Sequence, residues 1–284
     1  MKRFIISFVM VVSILLLLSQ PALAQTRTIR VSNADGLKTA LQNARPGDTI
    51  IMADGIYRGN FKSNTNGTAA APITLVGNRA AILDGGSTSR GYGFYMAHDY
   101  WVLDGFTIRN TLKGIMLDGV TNSVLQKLEV YQIGQEGIHF RTYSSDNILQ
   151  HSWIHDTGIG RASWGEGIYI GTAVSNWGSY TGGQPDSSNR NQILNNRVGP
   201  NVRAEMIDIK EGTTGTIVRN NTFTSGSNLV VDSWVDVKGN NASVTNNTGY
   251  YASNSSFKVA VDVIVLMSGW GKNNIVSNNT GVRN

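Results

Sequence analysis

A short motif recurs along the chain: residues 193–196 read ILNN, 217–220 read IVRN, 243–246 read SVTN and 275–278 read IVSN. Related triplets occur earlier, at 82–84 (ILD), 102–104 (VLD), 124–126 (VLQ) and 148–150 (ILQ). Five of the seven steps between successive copies are 20 to 26 residues long. A segment of this length cannot bury a core alone, so its copies must stack on one another. The repeat therefore predicts a solenoid.

Each step of the repeat also holds a second apolar run, such as residues 114–117 or 206–209. Strands this short, one turn of chain after another, predict a parallel β-helix whose coils share one core. Asparagine closes the motif in four coils, where its amide can hydrogen-bond between coils and its backbone tolerates left-handed corners. We expect stacked amides at these positions: Asn196, Asn220, Asn246 and Asn278.

Two segments depart from the repeat. Helical spacing of Leu37, Ala40, Leu41 and Ala44 predicts a short amphipathic helix over 35–44 that caps the open end of the stack. The single 45-residue step predicts one coil with an insertion near 172–190. We therefore expect an all-β, single-domain β-helix over residues 25–284.

Composition and charge exclude several classes of protein. The absence of cysteine excludes a disulfide scaffold, a thiolate zinc site and a cysteine nucleophile. There are 24 Lys and Arg residues against 19 Asp and Glu, a net charge of +5 that is compatible with an acidic partner. The chain has no basic run and no aromatic–basic motif, so nucleic acid is not expected as a partner.

The first 24 residues read as a signal peptide. A basic start at residues 1–3 precedes an apolar run at 4–18 and an A-x-A cleavage site at 22–24. The run is short for a membrane span, and no comparable run follows it. We expect a secreted protein, extracellular or periplasmic, without a membrane span.

Stacking the coils in register predicts a polar patch on one face. Alternate residues of a strand face outward, which gives outward pairs on successive coils, the last being Leu266 and Ser268. A second column stands just before these strands, at Lys113, Glu136, Glu166, Glu205 and Ser233. The outward pairs on the earlier coils are Met116 and Asp118, His139 and Arg141, Tyr169 and Gly171, Asp208 and Lys210, and Asp236 and Lys238.

The patch carries the groups that an elimination reaction needs. Carboxylates on adjacent coils suit a hard cation such as calcium. Lysines one coil apart disfavour each other's charged forms, which lowers a lysine pKa toward the range of a base. Arg141 can bind a carboxylate bidentately, and the aromatic side chains can stack on sugars. These groups predict proton abstraction next to a carboxylate, which in a uronic-acid polymer is β-elimination across the glycosidic bond.

The chain also resembles a known family. Residues 37–57, with Arg45–Ile50 (RPGDTI) and Asp54–Tyr57 (DGIY), are similar to the start of pectate-lyase-like right-handed β-helix proteins. Residues 205–211 (EMIDIKE) resemble the segment of the chondroitinase B and alginate lyase family in which a calcium-binding Glu precedes the catalytic Lys by five positions. This chain has Arg203 where that family has a second Glu, and Lys238 where it has an Arg.

The resemblance and the patch together predict the site. Lys210 is expected to act as the general base, with Lys238 as a second catalytic cation. Calcium is expected at Glu205, Glu166 and Asp208. Substrate-binding side chains are expected at Arg141, His139, Tyr169, Arg203 and Trp177. The predicted partner is an acidic polysaccharide, bound by a monomer.

Other interpretations stay open at this point. An inverting glycoside hydrolase would use Asp208 and Asp236 as acid and base, although adjacent coils hold them closer than the roughly 6.5–9.5 Å of such a pair. A non-catalytic, carbohydrate-binding or cell-surface solenoid would use the same face only to hold polymer. The lysines and acids can also be a ladder of ion pairs, and Trp164, Trp177 and Tyr180 can simply pack the insertion. The sequence does not identify the polymer.

Overall fold

The chain winds into a stack of coils in which short strands build three parallel sheets. The structure, a computed structural model, describes residues 26–253 and 256–283, so the predicted signal peptide lies outside the described residues. A full turn of the chain adds one strand each to sheets A, B and C in that order. The predicted parallel β-helix is confirmed. No helix among the described residues is long and apolar enough to cross a membrane.

The strands and helices are short. Sheet A contains Thr28–Val31, Thr49–Met52, Ile73–Val76, Trp101–Asp104, Val124–Gln126, Ile148–Gln150, Gln192–Leu194, Ile217–Arg219, Ser243–Thr245 and Ile275–Ser277. Sheet B contains Gly55–Arg58, Ala81–Asp84, Thr107–Thr111, Glu129–Ile133, Trp153–Ile154, Arg197–Val198, Thr222–Ser225, Thr248–Tyr251 and Thr280–Arg283. Sheet C contains Phe61–Lys62, Tyr92–Met96, Lys113–Asp118, Ile138–Arg141, Ile168–Ile170, Ile207–Ile209, Ser233–Val237 and Val259–Val263. The helices are α1 (Ala34–Gln42), α2 (Trp177–Tyr180) and the 3-10 turns Ala162–Trp164 and Val174–Asn176.

Columns of identical or similar apolar residues fill the interior. In sheet A the register aligns one inward residue from each of seven successive strands. All of them are completely buried, so each coil is stabilised mainly by apolar contact with the coils on either side. This column comprises Leu75, Leu103, Leu125, Leu149, Ile193, Val218 and Val244.

Helix α1 packs onto the first coils. Asn33 caps its start, because the Asn33 side chain accepts a hydrogen bond of 2.8 Å from the backbone of Gly36. Its apolar face, with Leu37 and Leu41, is buried in the same core as the strands. The helix therefore covers the N-terminal end of the core.

The asparagine ladder exists, one residue further along than we predicted for three of its four members. The stacked amides belong to Asn196, Asn221, Asn247 and Asn279. The side-chain oxygens (Oδ1) of Asn221, Asn247 and Asn279 each accept two hydrogen bonds from the ladder asparagine of the preceding coil. One comes from its backbone N–H and the other from its side-chain amide. The preceding residues instead have left-handed backbone, with φ between 55° and 59°: Asn195, Asn220, Asn246 and Asn278.

The shift has a physical cause. In the motif at 193–196 the first residue, Ile193, points inward, and Asn196 follows it by three positions. In the motif at 217–220 the second residue, Val218, points inward instead, so the asparagine three positions after it is Asn221. Two adjacent apolar residues fit either register, and the burial of only one of them decides it. Two further alignments were wrong for similar reasons. The triplet at 82–84 belongs to sheet B, and the last outward position of sheet C is Asp262, paired with Asp236, and not Leu266.

Two long connections border one face of sheet C. Residues 155–167 lead from sheet B to sheet C, and residues 171–191 lead from sheet C to sheet A. The second connection contains α2 and coincides with the expected insertion near 172–190. Asp186 and Glu211, both completely buried carboxylates, hold it against the coils.

Candidate active site

The outer face of sheet C carries two polar columns in the register that the sequence predicted. Tyr169 pairs with His139 on one side and with Asp208 on the other, and Asp208 pairs with Asp236. In the second column, the backbone carbonyls of Glu136, Glu166 and Glu205 each accept a hydrogen bond from a glycine N–H of the preceding coil. These bonds keep the three residues aligned. Strand geometry therefore collects acids and cations from three coils within a few ångströms.

A chain of ion pairs runs through Asp208. Its two carboxylate oxygens lie 2.8 Å from Lys210 Nζ and 2.9 Å from Lys238 Nζ. Lys238 Nζ also lies 2.8 Å from Asp236. Burial alone would lower the pKa of Lys238, but the two carboxylates outweigh it and raise that pKa above its usual range. The expectation that neighbouring lysines lower each other's pKa is therefore wrong for Lys238, because a carboxylate lies on each side of it.

Lys238 is buried behind the site, where it pairs with two of the carboxylates. It is only 8% exposed, and it does not line the cleft described next. Burial would raise the pKa of Asp236, but Lys238 and a 2.6 Å hydrogen bond from Ser233 lower it overall. The structure thus makes Lys238 a fixed counter-ion for Asp208 and Asp236, and it does not support the predicted direct catalytic role.

Three carboxylates meet beside these lysines. One oxygen each of Glu166, Glu205 and Asp208 lies within 4.8 Å of the others. Burial, then the charges of Asp208 and Glu136, raise the pKa of Glu166 to about 8. Burial, then Asp208 and Asp236, raise the pKa of Glu205 to about 7. Glu166 and Glu205, unlike Asp208, have no ion-pair partner among the described residues, and a bound cation would relieve their crowding.

This acidic cluster, Glu166, Glu205 and Asp208, fits a hard cation. Glu166 Oε2 is buried and makes no hydrogen bond, so it has unused lone pairs. Oxygen donors from adjacent coils are the ligands that calcium prefers. Asp208 is the weakest of the three candidates, because both its oxygens already accept from lysines.

A cleft of about 510 Å³ opens over this face, between the two long connections. Trp164 and Tyr180, 45% and 41% exposed, stand on its two sides. Lys210 and Tyr169 form part of its floor, and the Lys210 ammonium lies 5.1 Å from the centre of the Tyr169 ring. Burial, then Asp208, raises the pKa of Tyr169 well above its usual range, so its phenol keeps its proton.

His139 and Arg141 also line the cleft, as predicted, but both are already engaged. His139 Nε2 donates to the carbonyl of Gly171 at 2.9 Å, and burial, then Lys113, lowers the His139 pKa well below its usual range. The imidazole is therefore neutral. Arg141 donates two hydrogen bonds, of 2.6 and 2.7 Å, to Asp118 and lies 4.0 Å from the centre of the Tyr180 ring.

Two predicted substrate-binding residues lie elsewhere. Trp177 is 6% exposed, and its indole N–H donates to the carbonyl of Thr172 at 2.8 Å, so it packs the insertion and does not face the cleft. Arg203 lines a different groove, with Tyr131 and Asp156, on the other side of connection 155–167. Strand alternation would put Arg203 and Glu205 on one face, but both lie in the irregular segment between Val198 and Ile207, where alternation does not apply.

Several residues that shape the site were missed from the sequence. Asp186 accepts hydrogen bonds from the backbone of Thr142 and Tyr143 and from the Thr172 and Ser188 hydroxyls. Glu211 accepts one of 2.6 Å from the backbone of Val174. Neither belongs to the repeat. A buried acid in a polar loop leaves no periodic signal, so only the fold reveals these contacts.

Comparison with known proteins agrees with this geometry. The family model for the Pel9A-like right-handed β-helix region matches residues 22–167. The crystal structure of an alginate lyase from Paenibacillus sp. str. FPU-7 is 45% identical with a TM-score of 0.85, over 90% of this chain and 87% of that one. The structure of pectate lyase Pel9A is 16% identical with a TM-score of 0.63, over 90% and 74%, which shows the shared fold.

A search of the curated proteins finds no match. The family model spans just over half of the chain, and the similar alginate lyase covers nearly all of it. The expected resemblance to pectate-lyase-like proteins is confirmed. The chain belongs to the Pel9A-like right-handed β-helix family and is a polysaccharide lyase.

Proposed function

We propose that this lyase cleaves a uronate-containing polysaccharide by β-elimination, with Lys210 as the base and alginate as the first substrate to test. The observation that carries the proposal is the juxtaposition of Lys210 and Tyr169 on the floor of one cleft, beside the acidic cluster. The 45% identity with an alginate lyase supports alginate as the polymer.

The proposed reaction consumes no water. Lys210, as the neutral amine, takes the proton from C5, next to the uronate carboxylate. The electron pair of that C–H bond forms the C4=C5 double bond, and the C4–O glycosidic bond breaks. Tyr169 gives its proton to the leaving oxygen. Transfer of a proton from the Lys210 ammonium to the Tyr169 phenolate then restores both groups.

The surroundings of Tyr169 suit a proton donor. Its raised pKa keeps the phenol protonated at neutral pH, ready to donate. The edge of its ring packs against His139, with ring centres 4.4 Å apart and planes at 80°. Because His139 is itself fixed by the Gly171 carbonyl, this contact holds the phenol in one orientation.

Calcium is part of the proposal, held by Glu166, Glu205 and Asp208. Bound there, it would neutralise the substrate carboxylate and offset the negative charge of the crowded acids. The site therefore predicts a requirement for a divalent cation.

The hydrolase alternative is disfavoured by the charges around its two acids. Asp208 and Asp236 both accept from Lys238 Nζ, at 2.9 and 2.8 Å. An inverting pair needs one carboxylic acid that keeps its proton and a separation that admits water. One ammonium shared between two acids opposes both conditions.

The proposal is tested by following the unsaturated product of purified protein on alginate, polygalacturonate and a dermatan-type polymer. Enoate absorbance reports elimination, and a parallel reducing-end assay reports cleavage of either kind. We expect absorbance to rise on alginate with the unaltered chain and with Lys127→Ala, an exposed lysine outside the cleft, and to be lost with Lys210→Ala. Reducing ends without absorbance would establish hydrolysis, and polymer binding without product would establish a binding protein.

We also propose that the protein is exported and cleaved after residue 24, on the basis of the basic start, apolar run and A-x-A site. N-terminal sequencing of protein secreted from a bacterial host should begin at Gln25. An intact Met1 on the mature protein would contradict the proposal.

A further inference from the structure

A second cleft lies on the outer face of sheet C, near its N-terminal end. Its volume is about 370 Å³, and it lies where α1 meets the first coils. Lys38 from α1, Lys62 from the first strand of sheet C, and Tyr92 and Tyr95 from the second strand line it. Nothing in the proposed reaction uses these side chains.

The register of sheet C joins this cleft to the candidate active site. Lys62 pairs with Tyr95, Tyr95 with Met116, Met116 with His139, and His139 with Tyr169. Four coil steps of about 4.8 Å place Lys62 roughly 19 Å from Tyr169 along the same face. This span is longer than a trisaccharide, so only a longer chain can reach from one cleft to the other.

The side chains of the second cleft suit an anionic sugar polymer. Lys62 forms no ion pair with any described residue, and Lys38 has only a 4.0 Å contact with the exposed Asp35 on its own helix. The rings of Tyr92 and Tyr95 lie 5.8 Å apart and nearly parallel, which gives the cleft an aromatic wall. Available ammonium groups beside aromatic rings are the usual partners of carboxylates and sugar faces.

The acid nearest to this path is already neutralised. Asp118 lies between the two clefts in the column of Arg141, and it accepts two hydrogen bonds from that guanidinium. A third, from the Thr142 hydroxyl, measures 3.2 Å. Asp118 therefore does not present an uncompensated carboxylate that would repel a polyuronate lying along this face.

We propose that Lys38, Lys62, Tyr92 and Tyr95 form a distal subsite that binds uronate residues of the polymer several sugars away from the cleaved bond. The polymer then lies across successive coils along sheet C, and the capping helix α1 contributes directly to substrate binding. This inference rests on the proposed function for the identity of the polymer, but its test does not depend on catalysis.

The test measures polymer binding and cleavage separately, with the double variant Lys38→Ala/Lys62→Ala. In affinity electrophoresis through gels containing alginate, the variant should bind roughly ten-fold more weakly, since two exposed charge contacts are lost. Binding of the unaltered chain should weaken with salt more steeply than that of the variant. KM for polymeric alginate should rise by a similar factor, whereas kcat, and kcat/KM for the trisaccharide, should stay unchanged.

The matched control removes two cations from other faces, Lys127→Ala/Arg219→Ala, and should leave binding as in the unaltered chain. Equal binding by both double variants would overturn the distal subsite, whatever the activity. Loss of binding in the Lys38→Ala/Lys62→Ala variant, together with no unsaturated product from the unaltered chain, would support the subsite and refute the proposed reaction.

Discussion

At the scale of single residues, Asp208 connects every part of the candidate site. It bridges Lys210 and Lys238 and belongs to the acidic cluster with Glu166 and Glu205. The sequence predicted this meeting, because alternation and coil register put these side chains on one face. It could not predict that Lys238 is buried as a counter-ion, since that depends on which acids approach it from neighbouring coils.

The acidic cluster makes stability depend on pH. The pKa of Glu166 is about 8 in the folded protein and near 4.5 in an unfolded chain, so the folded state holds an extra proton between these values. Without a cation, the free energy of unfolding should therefore fall by about 2–4 kcal/mol as pH rises from 5 to 8.5. Glu166→Gln should flatten this slope. Calorimetry in chelator checks it, and an equally steep slope in the variant would contradict the assignment.

Calcium should reverse this effect, because it competes with the proton for the same carboxylates. Its addition should raise Tm clearly at pH 8.5 and much less at pH 5. The lyase activity of chelator-treated protein should return with calcium but not with sodium at equal ionic strength. Full activity in chelator would show that the cluster needs no metal.

Tyr169→Phe removes only the hydroxyl that we assign to proton donation. We expect kcat to fall by roughly 10²- to 10⁴-fold with little change in KM, because the ring and its packing against His139 remain. Steady-state kinetics at several pH values checks this. Tyr180→Phe, at the exposed side of the same cleft, is the matched control, and a similar loss of kcat there would remove the special role of Tyr169.

At the scale of elements, an asparagine ladder joins the corners of successive coils. The sequence predicted an asparagine ladder and left-handed corners, yet it assigned both to the same residues. The structure separates them: Asn220 has φ of 59°, and its neighbour Asn221 is buried and hydrogen-bonded to the coils on both sides. The sequence does not show which of two adjacent asparagines points inward.

This division of roles predicts opposite outcomes for neighbouring substitutions. Asn221→Ala leaves buried backbone and amide groups unpaired and should cost about 2–4 kcal/mol of unfolding free energy. Asn220→Gly, at a left-handed residue, should be neutral or slightly stabilising. Urea unfolding measures both. Equal effects of the two substitutions would mean that the ladder contributes no more than the corner.

The insertion forms one wall of the cleft through two buried acids. Asp186 accepts four hydrogen bonds, two from the backbone of Thr142 and Tyr143 and two from hydroxyl groups of the connection itself. Asp186→Asn should cost about 2–4 kcal/mol and loosen the wall that carries Tyr180, so KM should rise. The exposed Asp54→Asn should change stability by less than about 0.5 kcal/mol. Thermal unfolding and kinetics of the two variants check the difference.

At the scale of the whole molecule, stacking makes stability local. Each coil contacts only its neighbours, so protection should follow burial along the stack. Residues of the coil at 259–283 are far more exposed than those of the coils around the cleft, with Ile275 at 60% against 0% for Ile193. Hydrogen exchange should therefore be fastest at 259–283 and slowest at 138–237. Uniform exchange along the chain would indicate one cooperative unit.

The same architecture explains what the sequence could and could not predict. The repeat determines which residues share a face, so the floor of the cleft, with His139, Tyr169 and Lys210, followed from spacing alone. The walls come from connections 155–167 and 171–191, where no period applies. Trp177, in the second connection, and Arg203, in the irregular segment between Val198 and Ile207, do not lie where the sequence predicted. Positions were predicted best where residues belong to strands.

The central claim is elimination by Lys210, and the mass of the products tests it most directly. Alginate should be digested in water enriched in oxygen-18, and the short products analysed by mass spectrometry. We predict products that are lighter by one water than hydrolytic fragments and free of the heavy isotope, with none formed by Lys210→Ala. Fragments that carry the heavy oxygen, or undiminished product from Lys210→Ala, would contradict the account.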